Sequence, residues 1–239
     1  MKRIAILTVI ALSTFLLSTG MTSAATINLT FSKLTDVTGG SPAGTAVYQA
    51  SLDGLGLSSI QSISIADNSS GLGGATGQFS GFDLDAIVLS TTSITSALST
   101  GTLSLLDVFD YGSGIFTPGS QRAPVDTKLF GTGATGNTVD NIIATLGLFD
   151  GNSTTAIPGA DGFLSLGDNG LLSFNLTSLV PTSGLYLYIG EVGDNGEVAS
   201  GNISISDQTI NIVPEPSTFL LLGGGLVGLA FYARRRRKE

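Results

Sequence analysis

Between Thr26 and Ile212 short runs of residues alternate between apolar and polar side chains. "TINLTFS" puts Ile27, Leu29 and Phe31 on one face, and "SISIAD" does the same for Ile63 and Ile65. "LLSFNLT" aligns Leu172, Phe174 and Leu176, and "LYLYIGEV" aligns Leu185, Leu187 and Ile189 with Tyr186 and Tyr188 opposite. "NISISD" and "TINIV" repeat the pattern at Ile203 and Ile205 and at Ile210 and Ile212. A period of two with β-branched residues predicts half-buried strands. Further strands are predicted at Val47–Leu52, Phe79–Leu84, Ala86–Ser90, Thr102–Phe109, Ile142–Phe149 and Phe163–Leu166. The pattern therefore predicts an all-β chain, an antiparallel β-sandwich with a jelly-roll-like arrangement. Helical periodicity is weak everywhere, strongest at Thr91–Ser99. Tyr111–Thr138, rich in Gly, Pro, Ser and Thr, predicts a long loop, either functional or a plain surface connection.

Both ends break the alternation. Residues 1–25 read as a signal peptide: Lys2 and Arg3, then an uncharged run of 14 residues from Ile4 to Leu17, then small residues. Ala24 or Ala25 fits the position before the cut. Residues 213–239 run in the reverse order. Thr218–Ala233 is an uncharged stretch of 16 residues, followed by Arg234, Arg235, Arg236, Arg237 and Lys238. As a helix it would be about 24 Å long, short of a ~30 Å hydrocarbon core unless the arginines snorkel. A basic cluster favours the cytoplasmic side, which leaves the strand-rich domain, 26–212, outside. Pro214-Glu215-Pro216 precedes the apolar run, and the two prolines keep it extended.

Charge sharpens the division. Seven of the ten cations lie at the two ends, so Lys33, Arg122 and Lys128 face 16 of the 18 acids, a net charge of −13 for the middle. Such a field repels phosphate backbones and argues against nucleic-acid binding. It attracts divalent cations.

The C-terminal "VPEPSTFLLLGGGLVGLAFYARRRRK" resembles the PEP-CTERM sorting signal of exported bacterial proteins, from Val213, Pro214, Glu215 and Pro216 through the glycine-interrupted apolar stretch to the arginine cluster. The resemblance implies recognition by an exosortase, a transient inner-membrane anchor, removal of that anchor near Pro214-Glu215-Pro216, and delivery to the cell surface or an exopolysaccharide matrix. It implies nothing about what the strand-rich domain binds.

Chemistry is sparse. The chain has no His and no Cys, so Ser-His-Asp and Cys-His sites and His/Cys zinc sites are excluded. An acid-pair glycoside hydrolase remains conceivable, because such enzymes need two carboxyls at a set separation. Calcium is the better possibility. "DGNSTTAIPGAD" places Asp150, Asn152, Thr154 and Asp161 at positions one, three, five and twelve of a loop, but without the glycine, the final Glu or the flanking helices of an EF-hand. "GDNGE" offers Asp194, Asn195 and Glu197, and "SLGDNG" offers Asp168 and Asn169; ordinary turn chemistry explains both equally well. In "GFDLDAIVLS" Asp83 and Asp85 share a face, which predicts an exposed edge or a shared cation. Tyr186 and Tyr188 read as packing or as a sugar-binding stripe. These observations predict an exported, non-catalytic surface or matrix protein, with a calcium- or carbohydrate-binding module as the alternative.

Overall fold

The computed structural model describes residues 24–153, 162–197, 199, 202–210, 223–225 and 234. Residues 1–23 of the signal peptide, Thr154, Asp161, Ile212, the Val213–Pro216 tetrapeptide and Arg235 to Lys238 lie outside the described residues. Two units are separated near Thr209. Of the second, Gly223, Gly224, Gly225 and Arg234 are helical and exposed. Among the described residues no helix is long and apolar enough to cross a membrane.

Among the described residues the first unit has twelve strands: β1 (Thr26–Asn28), β2 (Ser32–Lys33), β3 (Pro42–Ala43), β4 (Thr45–Ser51), β5 (Ser59–Ala66), β6 (Asp83–Ser90), β7 (Ile115–Thr117), β8 (Asn152–Ser153), β9 (Leu164–Ser165), β10 (Leu171–Pro181), β11 (Tyr186–Val192) and β12 (Ile203–Ser206). They form two antiparallel five-stranded sheets, ordered β1-β12-β5-β10-β7 and β2-β4-β11-β6-β9, with β3 and β8 as a separate pair. The alternation seen in the sequence explains why the sheets pack. Ile63, Ile65, Leu172, Phe174, Ile203 and Ile205 of the first sheet and Leu84, Ile87, Leu89, Leu187 and Ile189 of the second enter one buried cluster. Phe109 stacks on Tyr111, and both meet the Phe174 ring edge-on.

The second sheet is covered on its other face too. Leu34, Val47, Val88, Ile94, Ala97 and Tyr188 form a second cluster beneath the 3₁₀ turn Ala97–Thr102. Tyr188 is therefore packing, not an exposed sugar platform. Its hydroxyl lies 2.8 Å from the Thr92 carbonyl and 2.5 Å from Gln49 Oε1, and it accepts the Ile94 N–H at 3.1 Å.

Several predicted strands are absent. Ile142–Phe149 begins instead with a short helix, α1 (Asn141–Ala144). Asp140 accepts the Ile142 N–H and Asn141 Oδ1 accepts the Leu146 N–H, and these local caps outcompete strand pairing. Thr102–Phe109 touches strands only at the bridges Ser90–Leu105 and Phe109–Leu176. Phe79 closes a 3₁₀ turn, and Thr209 and Ile210 are not in a strand. The Tyr111–Thr138 segment is an ordered connection: it contributes β7 and is tied back at Ser120–Asp168 and Thr132–Val139.

Removing the Tyr188 hydroxyl strands buried partners. Tyr188→Phe is expected to cost about 1–3 kcal/mol in chemical denaturation, the range for unmet buried polar groups. A neutral substitution would show that solvent reaches this hydroxyl.

Candidate functional site

The chemistry of the domain is concentrated in buried carboxylates. β6 lies between β11 and β9, so it is not an edge. Asp83 is 5% exposed and Asp85 fully buried, which corrects the expectation of an exposed pair. Sequence alternation shows that these residues share a face; it does not show that loops cover that face. Asp83 Oδ1 accepts a hydrogen bond from the Ser165 hydroxyl of β9. Asp85 accepts from Thr45 Oγ1 at 2.5 Å and from the Gly151 N–H at 2.8 Å. Burial pushes both carboxyls well above the usual carboxylate range; Glu191 adds to the rise at Asp83 and Asp150 to that at Asp85.

Beside Asp83 the chain gathers two more buried acids. Glu191, on β11, is 1% exposed, and Glu197, in the following loop, is 2% exposed. Burial, with the neighbouring Asp194 charge, pushes Glu191 up to about 8 against the Asn195 and Asp194 N–H groups. Burial, then the charges of Asp83 and Glu191, push Glu197 up to about 9.

Arg122 ties the surrounding loops together. Its guanidinium forks onto Asp168, with Nη2 at 2.6 Å and Nε at 3.0 Å. Nη1 donates to the carbonyls of Gly73 and Ala75. Nη1 stands 3.7 Å from Glu197 Oε1, an ion pair without a hydrogen bond. Asp67 is held by the N–H groups of Phe82 and Asn169, both at 2.9 Å, and by the Ser69 hydroxyl at 2.7 Å.

The residues singled out for calcium are distributed differently. Asp150 accepts the Thr145 hydroxyl at 3.1 Å and lies against Asp85. Asn152 is in β8, opposite Ala43, and its Oδ1 is buried without a partner. Asp194 pairs with Lys33 at 2.5 Å. Asp168 is taken by Arg122, and Asn169 adopts a left-handed turn conformation. Among the described residues no three acidic side chains are placed to hold one metal ion. Glu191 was missed in the sequence, although it continues the parity of Leu185, Leu187 and Ile189.

The comparison that bears on destination concerns the other end of the chain. Residues 213–237 match the PEP-CTERM protein-sorting motif. The chain carries a PEP-CTERM sorting motif. The match covers about a tenth of the chain and takes in Val213, Pro214, Glu215, Pro216 and the basic cluster through Arg237. The motif marks an exported exosortase substrate, anchored in the membrane before processing. No curated protein and no solved structure matches the chain.

The raised carboxyls set a pH dependence for the folded first unit. Glu191 and Glu197 bind protons more tightly folded than unfolded, so their contribution is complete below the unfolded value of 4.5 and is lost as pH rises toward about 8 and about 9. The slope is at most about 1.4 kcal/mol per pH unit for each carboxyl. In chelator, the melting temperature is expected to fall from pH 5 to pH 9, and Glu197→Gln to flatten the fall. A profile that rises over this range would contradict the burial of neutral carboxyls.

Proposed function

We propose that the protein is an exported, non-catalytic component of the cell surface or extracellular matrix. Its route would be signal-peptide cleavage, transient anchoring through the C-terminal apolar segment, and release or transfer by an exosortase at Val213–Pro216. The observation that carries this reading is the PEP-CTERM match at residues 213–237. The Arg234 to Lys238 cluster would stay on the cytoplasmic side as the membrane stop.

The N-terminus fits the same route. The Ala25 backbone nitrogen lies 3.2 Å from Asp207 Oδ1. Cleavage after Ala24 would turn that nitrogen into an ammonium facing a carboxylate, beside the start of β1. Strand order supports the jelly-roll-like reading. From β4 to β5 to β6, and from β9 through β10 and β11 to β12, successive strands switch between the two large sheets.

A structural or adhesive role is favoured over hydrolysis. A surface hollow of about 360 Å³ is lined by Thr100, Leu103, Leu105, Leu148, Phe149 and Asp150, with Asp150 its one ionisable group. An acid-pair hydrolase needs two carboxyls flanking its substrate. An exopolysaccharide partner would meet the outer face of the first sheet, where the cross-strand row Asn28–Ser204–Ser64 presents uncharged amide and hydroxyl groups.

Intact-mass analysis of the chain recovered from an exosortase-containing cell tests the route. The released form is expected to begin at Ala25 and to lack Arg234 to Lys238. Changing Pro214, Glu215 and Pro216 together to Ala is expected to leave the basic tail attached and the chain in the membrane fraction. Release of wild-type chain with its basic tail intact would overturn the reading.

A further inference from the structure

The tetrapeptide Gly-Asp-Asn-Gly occurs twice, at residues 167–170 and 193–196, and supplies both Asn-Gly pairs of the chain. Such a pair carries its own chemistry. The backbone nitrogen after an asparagine can close a five-membered ring onto the side-chain amide carbon. Glycine at that place has no Cβ to obstruct the approach. The fold treats the two copies differently.

At the first copy the attacking group is held. The Gly170 N–H donates to the Gly167 carbonyl at 2.9 Å, and the Gly170 carbonyl accepts the Asp67 N–H at 2.9 Å. The Asn169 N–H donates to Asp67 Oδ2 at 2.9 Å. Gly170 is buried, and a Cβ there would overlap the Leu166 carbonyl. Turning the Gly170 nitrogen onto the Asn169 amide would break its hydrogen bond and move packed backbone.

At the second copy Asn195 and Gly196 are both exposed. Gly73 packs against the Gly196 carbonyl and Gly74 against the Glu197 side chain, yet a Cβ on Gly196 would meet nothing nearer than 3.9 Å. Among the described residues no hydrogen bond holds the Gly196 N–H. The Asn195 side chain turns back along its own backbone, and its Oδ1 accepts the Glu197 N–H at 3.3 Å. That donor faces the oxygen on which negative charge develops when the amide carbon is attacked, so it favours the attack.

We propose that Asn195 is a site of spontaneous conversion from amide to acid. The Gly196 nitrogen gives its proton to hydroxide and bonds to Asn195 Cγ. The Cγ–Nδ2 bond breaks, and Nδ2 takes up a proton and leaves as ammonia. Water then opens the cyclic imide at either carbonyl, leaving aspartate or its backbone-shifted isomer, isoaspartate. Only water is consumed. Each converted chain gains one negative charge beside Asp194, the partner of Lys33 at 2.5 Å, and next to the N–H groups that face Glu191. The reaction does not depend on how the C-terminus is processed.

The test is peptide mapping by mass spectrometry of the full chain in detergent, held folded at pH 7.5 and, in parallel, unfolded in urea. In the folded chain Asn195 is expected to convert at least about tenfold faster than Asn169, the factor implied by one backbone hydrogen bond that must be broken. In urea the two copies should convert at similar rates, because the tetrapeptide is the same. Asn195→Gln lengthens the side chain and disfavours ring closure, so it should suppress the acidic form that isoelectric focusing detects in the aged folded chain. Equal rates in the folded chain, or conversion of neither copy there while both convert in urea, would overturn the proposal. Persistence of the acidic form in Asn195→Gln would do the same. An excess at Asn195 that survives in urea would also overturn it, by showing that flanking sequence and not the fold selects the site.

Discussion

The structure depends on burying like-charged carboxyl groups at one end of a β-sandwich with a single guanidinium among them. Asp67, Asp83, Asp168 and Glu197 gather around Arg122, with Glu191 beside Asp83 and Glu197, and Arg122 bonds fully to only one of them. Desolvated charges of one sign cannot remain unmatched. They must be met by hydrogen bonds, as at Asp67, by a cation, as at Asp168, or by protons. The loops around β6 and β11 are shaped by that requirement. Serine hydroxyls and backbone N–H groups turn inward, and glycines let the chain pass close to Glu197.

The same constraint links the fold to its destination. A domain carrying a net −13 repels itself and anionic polymers, and moving several of its acids to the interior as neutral or paired groups lowers that repulsion. The PEP-CTERM motif is a signal for export and membrane-anchored sorting. A sandwich with no disulfide, whose acidic end holds protons more tightly folded than unfolded, would be firmest at low pH.

Much of this was legible in the sequence. Alternating runs located β5, β10, β11 and β12, because each buries one face on the common core. The C-terminal motif was legible because its signal is local and ordered. Long-range partnership was not. Nothing in "GFDLDAIVLS" states that the face bearing Asp83 and Asp85 is covered by residues from β9 and the turn before β8. Arg122 and Asp168 are 46 residues apart, and their pairing appears only in the fold. Glu191 was the readable clue that went unread: a carboxylate at the next inward position after Leu185, Leu187 and Ile189. Ile142–Phe149 failed for the opposite reason, since local capping by Asp140 and Asn141 outweighed an apolar alternation.

Carbon-detected NMR of the side-chain carboxyls of Glu191 and Glu197, at neutral pH in chelator, tests the central claim most directly. Both δ carbons should resonate where protonated carboxyls do and move to ionised values only as the pH approaches 8 to 9. Ionised shifts for both at neutral pH, in a folded chain without divalent cations, would contradict it.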